Sequence, residues 1–128
     1  MTTLVFGSKK YKRQTLNNLK RGLKTLMTRG WCQGTYSQRE PDGTKSYCAV
    51  GSFRDTVKNK WNIDLGMTCD ALRVGINQVM PGAKMTYGDP LSNCTEWNDR
   101  KGRTAAQVKR AFRAAIKATE RAEVVVDW

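Results

Sequence analysis

The stretch Gly30–Phe53, GWCQGTYSQREPDGTKSYCAVGSF, decides how the first half of the chain folds. Its centre, Glu40–Gly43, has the composition of a tight turn, because proline presets its own backbone torsion and Asp-Gly tolerates positive torsions. On either side, Trp31–Gln38 and Thr44–Cys48 are together rich in Trp, Tyr, Thr and Cys, which is typical of short strands. The stretch therefore predicts a β-hairpin whose two cysteines lie near each other.

These two residues, Cys32 and Cys48, are followed along the chain by Cys69 and Cys94. The apolar run Leu4–Phe6 is too short for the core of a signal peptide, so we expect a cytoplasmic protein with free thiols. We interpret Cys32 and Cys48 as packing residues beneath the preceding helix. The alternative is a nucleophilic Cys48 at the start of the next helix, where the helix N-terminus lowers the pKa of a thiol, although no nearby base is identifiable.

Helices are predicted on both sides of the hairpin by apolar residues at steps of three and four. The first spans Gln14–Arg29, and Gly30 supplies its stop. The second opens at Cys48 and runs to Lys60 or nearby. The inward residues are Leu16, Leu19, Leu23 and Leu26 in the first helix and Val50, Phe53, Val57 and Trp61 in the second.

The C-terminal half of the chain predicts two more helices. Thr68 is expected to be the N-cap of one, and Thr104 begins the other with the capping-box pattern TAAQ. Ala83–Asn93 is expected to be irregular, with a turn at its Gly-Asp-Pro sequence. Val124–Trp128 is expected to form a short closing strand that pairs with Thr3–Phe6.

Together these elements predict a mainly helical α+β fold with about four helices, a β-hairpin after the first helix and short terminal strands. At 128 residues the chain is expected to form one domain, residues 1–128. Residues 1–13 are expected to include a mobile basic arm. No segment approaches the roughly 18 apolar residues of a membrane span.

Positive charge is the strongest global feature of the sequence. The net charge is +12, and no acidic residue occurs before Glu40. The cations cluster near the predicted first and last helices, and such surfaces attract phosphate backbones, anionic lipids or acidic proteins. The predicted contact residues are Lys9, Lys10, Lys12, Arg13, Lys20, Arg21, Lys24, Arg100, Arg103, Lys109, Arg110, Arg113, Lys117 and Arg121.

The residue inventory excludes several kinds of catalytic site. The sequence has no histidine, which rules out Ser-His, Cys-His and His-metal arrangements. The cysteines lack C-x-x-C spacing and no glycine-rich phosphate loop occurs, so neither a metal nor a nucleotide cofactor is expected. Four carboxylates lie near predicted element ends, but the sequence does not bring any two together. They are Asp42, Asp55, Asp70 and Asp99.

The segment Trp97–Arg100, WNDR, has two interpretations. Either its Asn-Asp pair recognises a ligand while Arg100 and Arg103 grip a phosphate near the start of the last helix, or its tryptophan is a buried anchor and the Asn-Asp pair bonds to the backbone. We favour the second interpretation, because Asn and Asp before helices usually act as caps.

Four short segments carry recognisable motifs: GWCQG at Gly30–Gly34, DG at Asp42–Gly43, YCAVGS at Tyr47–Ser52, and WNDR with GRT within Trp97–Thr104. Their pattern resembles a family of small uncharacterised proteins from bacteria and their phages, which combines Trp-x-x-Gly, Cys-Ala-x-Gly-Ala and Asn-Asp followed by Arg-Thr. Serine replaces the last alanine of the second motif here. The resemblance covers roughly Leu16–Ala122 and implies one compact domain and a phage origin, but it assigns no active residue.

Three functions remain open from the sequence. The first is non-catalytic binding of DNA or RNA through phosphates, without sequence specificity, because helix-turn-helix, RNA-recognition and zinc-finger signatures are absent. In this hypothesis Lys9–Arg13 acts as a flexible clamp. The second is a phage or bacterial interaction protein that docks on an acidic surface of a host protein. The third is an enzyme that uses Cys48 or Asp99.

Overall fold

The computed structural model of the chain describes residues 4–54, 63–83, 85 and 88–125. In these ranges the chain forms five α-helices and two sheets of two strands each, which confirms the predicted mainly helical α+β class. None of the described helices is both long enough and apolar enough to cross a bilayer. The helices are α1 (Lys9–Arg29), α2 (Gly51–Arg54), α3 (Ile63–Val79), α4 (Pro90–Asp99) and α5 (Ala105–Glu120), and the strands are β1 (Val5–Phe6), β2 (Ser37–Arg39), β3 (Lys45–Tyr47) and β4 (Glu123–Val124).

The predicted hairpin is confirmed. Strands β2 and β3 pair antiparallel with Gln38 opposite Ser46, and the turn between them closes through a hydrogen bond of 2.8 Å from the Glu40 amide to the Thr44 carbonyl. Gly43 has a φ of 90°, a torsion that favours glycine. The first strand is shorter than predicted, because before Ser37 the chain leaves the antiparallel ladder, and Trp31 forms an isolated parallel bridge with Tyr47.

Helix α1 begins at Lys9, five residues earlier than predicted, so Lys9–Arg13 belongs to the helix and is not a separate connection. The physical reason is an N-cap at Ser8, whose hydroxyl accepts a hydrogen bond of 3.2 Å from the Tyr11 amide. Tyr11 also packs against the core, which favours an ordered first turn.

Helix α3 starts before Thr68, so the prediction that Thr68 is an N-cap is wrong. Thr68 lies inside the helix and is fully buried, and its hydroxyl accepts a hydrogen bond of 3.1 Å from the Asn18 side-chain amide. A buried hydroxyl is compatible with a helix interior when it has a hydrogen-bond partner. The residue type alone did not reveal that Thr68 has such a partner.

Helix α4 begins inside Ala83–Asn93, the segment that the sequence predicts to be irregular. Asp89 is the N-cap, with its carboxylate accepting a hydrogen bond of 3.3 Å from the Ser92 amide, and Pro90 occupies the first helical turn. Asp followed by Pro is typical of a turn but also of a helix start. The helix predicted after the hairpin begins at Gly51 instead of Cys48, because Ala49 and Val50 form a turn, and it is described to Arg54. The rest of that prediction, including Val57 and Trp61, lies outside the described residues.

Helix α5 packs against α1 on one side and α3 on the other. Its predicted capping box at Thr104 is confirmed, and its buried residues are Val108, Ala111, Phe112, Ala115 and Thr119. Gly22 of α1 approaches the Phe112 ring, and Gly75 of α3 approaches the backbone of α5 at Ala111. The predicted pairing of the terminal strands is present between β1 and β4, which run parallel with Val5 opposite Glu123. Thr3 and residues 126–128 of that prediction lie outside the described residues.

Candidate nucleic-acid interface

A groove of about 400 Å³ lies between α5 and the C-terminal end of α3, and we call it the α5 groove. Three cations of α5 and a fourth at its C-cap line it, together with apolar side chains that include Leu4 and Val79. Since no acidic residue is among the lining residues, the groove presents one sign of charge. The cations are Arg110, Arg113, Lys117 and Arg121.

The sequence of α5 places these cations on one side by helical spacing. They recur at steps of three and four, opposite the fully buried positions Ala111 and Ala115, and all four are exposed. The half-buried Lys109, which was predicted to belong to the same ridge, does not line the groove.

Within the described part of the chain, none of the four cations forms an ion pair. Arg113, Lys117 and Arg121 are spaced four residues apart, and like charges at this spacing cost a helix about 0.2–0.5 kcal/mol per pair. A cluster of uncompensated like charges is therefore unfavourable for the isolated chain and becomes favourable when an anion lies against it.

The other predicted contact residues lie apart from the α5 groove. Lys9, Lys10, Arg13, Lys20, Arg21 and Lys24 are exposed along α1, and Arg100 is exposed at the C-cap of α4. None of them lines the α5 groove, so the structure does not gather the predicted residues into one surface.

Two predicted contact residues, Lys12 and Arg103, are engaged within the protein. The Lys12 ammonium donates to the carbonyls of Glu120 at 3.0 Å and Ala122 at 2.9 Å, at the C-terminal end of α5. The Arg103 guanidinium donates to the Trp97 carbonyl at 2.9 Å and lies 4.1 Å from the centre of the Trp97 ring. Both side chains hold elements together, so we assign them to the structure of the protein.

Sequence reasoning missed a second basic groove, of about 550 Å³, between α1 and the hairpin. Three of its cations were not among the predicted contacts. We call it the hairpin groove, and its cations are Lys24, Arg29, Arg39 and Lys45. The predicted hairpin could have indicated this groove, because it brings the basic residues of its two strands back towards the end of the preceding helix.

The motif segments converge on Asn98, which is fully buried at the end of α4. Its side-chain oxygen accepts hydrogen bonds from the Trp31 indole at 2.7 Å and from the Ala49 amide at 2.9 Å. Its side-chain nitrogen donates to the Cys32 carbonyl at 3.1 Å. The neighbouring Asp99 accepts from the Gly34 amide at 2.9 Å. These contacts support the structural interpretation of the WNDR segment, although the pair closes α4 and the N-cap of the last helix is Thr104.

Cys48 lies in the core beside this cluster and is only 1% exposed. Burial raises the pKa of its thiol to about 11, and this outweighs the hydrogen bond of 3.2 Å that its sulfur accepts from the Gly51 amide. The thiolate is therefore disfavoured, which supports packing over nucleophilic chemistry. Cys32 is also a buried free thiol, and burial raises its pKa as well.

The raised pKa of Cys48 predicts a stability loss at alkaline pH. The folded thiol keeps its proton up to about pH 11, whereas an unfolded thiol loses it above 9.0, so the unfolding free energy falls as pH rises through this window. The expected slope is at most about 1.4 kcal/mol per pH unit. Urea unfolding between about pH 8 and 10.5 should show a shallower decrease for Cys48→Ala than for wild type, and identical slopes would contradict the assignment.

The carboxylates considered as catalytic candidates are not brought together. Asp42 accepts hydrogen bonds from its neighbour Thr44, Asp70 pairs with Arg73 at 2.6 Å, and Asp55 lies outside the described residues. Across the described ranges, no group of three or more potential metal ligands is present.

A protein-family model matches most of the chain. No curated protein and no solved structure matches the chain. The matching model spans residues 11–118, which include the hairpin, the Asn98 cluster and most of α5. The chain therefore belongs to DUF6197, a family of unknown function.

Proposed function

We propose that the protein binds nucleic acid without catalysis, mainly through phosphate contacts, and that the α5 groove is the principal contact surface. The observation that carries the proposal is the alignment of four exposed cations along one groove, none of them in an ion pair with a described carboxylate. Phosphate backbones are polyanions that such a row of Arg and Lys binds.

The length of the basic row fits a phosphate strand. From Arg110 to Arg121 the helix rises about 16 Å, at 1.5 Å per residue. Phosphates of one B-DNA strand are about 3.4 Å apart along the axis, so the row spans roughly five of them. Since the row offers cations and small apolar side chains, we expect little discrimination between bases.

The finer parts of the hypothesis stay predictions. These are the choice between DNA and RNA, a phage origin, the extent of the single domain and a cytoplasmic location. Docking on an acidic host protein would use the same charges, and the binding experiment separates it from nucleic-acid binding. An enzyme centred on Cys48 is disfavoured by its raised pKa.

The test compares two Lys→Glu variants with the same change in net charge. Lys117→Glu lies in the α5 groove, and Lys101→Glu lies in the exposed turn before α5. By anisotropy with mixed-sequence DNA and RNA at about 50 and 200 mM salt, Lys117→Glu should weaken binding about tenfold or more and reduce the log-log salt slope by about 1. Lys101→Glu should change affinity about threefold at most, because screening limits a remote exposed charge.

Folding of the Lys117→Glu variant is expected to be preserved, since the new carboxylate stands four residues from both Arg113 and Arg121 and makes attractive pairs. Circular dichroism checks this point. Absence of wild-type binding at about 50 mM salt would overturn the proposal and favour an acidic protein partner. Equal weakening by the two variants would show that the α5 groove is not the contact surface.

A further inference from the structure

We infer that the hairpin groove is a second phosphate-binding site, separate from the α5 groove, so that one protein molecule holds two segments of nucleic acid. The inference rests on the proposed function, because it takes the class of ligand from it.

The hairpin groove has the composition of an anion site. Its four cations are all exposed, no carboxylate is among its lining residues, and none of these cations is in an ion pair within the described ranges. Half-buried Thr25 and Tyr47 add hydroxyl groups that donate to phosphate oxygens. The helix dipole places about half a negative elementary charge at the C-terminal end of α1, which repels an anion. The four positive charges of the groove outweigh this repulsion.

The register of the hairpin supplies a second, independent observation. Arg39 and Lys45 are directly opposite each other on β2 and β3, and both line the groove. Like charges at opposed positions of an antiparallel pair destabilise the sheet. An anion between these two side chains would attract both and cancel their mutual repulsion. Anion binding therefore accounts for an opposed pair of like charges that is otherwise unfavourable.

The two grooves are formed by different elements of the fold. Helix α5 contacts α1 through Phe112 and α3 through Ala111, and the α5 groove lies on the α3 side. The hairpin groove lies on α1, and no residue lines both grooves. Along α1, Lys24 stands about 18 Å from Lys12, the residue bound to the C-terminal end of α5.

The experiment measures stoichiometry with short duplexes of about eight base pairs, roughly 27 Å long. Sedimentation at low salt is expected to show two duplexes per wild-type chain, one for Lys45→Glu, one for Lys117→Glu and two for Lys101→Glu. Energy transfer between donor- and acceptor-labelled duplexes should appear with wild type and disappear with either groove variant. Because Lys45→Glu replaces a repulsive pair by an attractive one, it should also raise Tm by about 1–4 °C.

The outcomes separate this inference from the proposed function. If Lys45→Glu still binds and bridges two duplexes, or if wild type binds one duplex that only Lys117→Glu loses, the hairpin groove is not a site and the proposed function stands. If Lys45→Glu lowers Tm, Arg39 and Lys45 do not repel each other, and their opposed positions no longer support an anion site. If neither variant weakens binding, both proposals fail.

Discussion

Replacing Asn98 by alanine is expected to lower the free energy of unfolding by about 3 kcal/mol or more, since it orphans three polar groups and each such buried group costs about 1–3 kcal/mol. The change leaves three groups without their partner: the Trp31 indole N–H, the Ala49 amide and the Cys32 carbonyl. A small domain has only about 5–15 kcal/mol of stability. The variant is therefore expected to be close to unfolding at room temperature.

Urea unfolding followed by circular dichroism measures this loss. Asp99→Asn is the matched control, because the neighbouring side chain is exposed and an amide oxygen can still accept from the Gly34 amide. Its expected cost is about 1 kcal/mol or less. Trp31→Phe removes one of the donors to Asn98 and should fall between the two. An Asn98→Ala midpoint equal to that of wild type would show that the buried cluster does not hold these segments together.

Replacing Gly75 by alanine is expected to destabilise the protein by about 1–3 kcal/mol, the usual cost of overpacking. In an isolated helix the same change would stabilise, because alanine is the better helix former by about 1 kcal/mol. The folded protein reverses the sign, since a Cβ at Gly75 meets the Ala111 carbonyl and the Ala115 amide of α5. These are backbone atoms, so relief requires α3 and α5 to separate.

Gly66→Ala is the matched control within the same helix. Gly66 is exposed, and a Cβ there meets nothing within 4 Å. This variant should gain about 0.5–1 kcal/mol. Thermal unfolding of both variants should give midpoints on opposite sides of wild type. Midpoints that rise for both would mean that α3 and α5 pack less closely at Gly75 than the structure shows.

The parts of the fold that the sequence predicted are those with strong local chemistry. The Glu40–Gly43 turn and the capping box at Thr104 each satisfy their backbone groups within a few residues, so their pattern is sufficient. The N-cap prediction for Thr68 was wrong because its hydroxyl accepts a hydrogen bond from Asn18, fifty positions away in the sequence, and not from the start of a helix. Helix α4 was missed because its Asp-Pro start favours both a turn and a helix, and the burial of Cys94 and Trp97 that decides between them is tertiary.

Only the part of the candidate site that depends on local sequence spacing was predicted. The spacing of Arg113, Lys117 and Arg121 is helical and appears in the sequence, and the structure places all three in one groove. Lys12 and Arg103 have the same charge but are bound to carbonyls of other elements, which no local pattern reveals. The hairpin groove depends on how two elements meet, so its cations could be recognised only after the fold was known.

The contact between the two chain ends has a kinetic consequence. Strand β1 pairs Val5 with Glu123, and the Lys12 ammonium binds the Ala122 carbonyl 110 positions away, so these contacts close a long loop. Closure of a long loop costs entropy that is recovered only when the intervening helices have already packed. We therefore expect β1 and β4 to pair late in folding and to separate early in unfolding. Their contacts set how long the native state lasts more than how fast it forms.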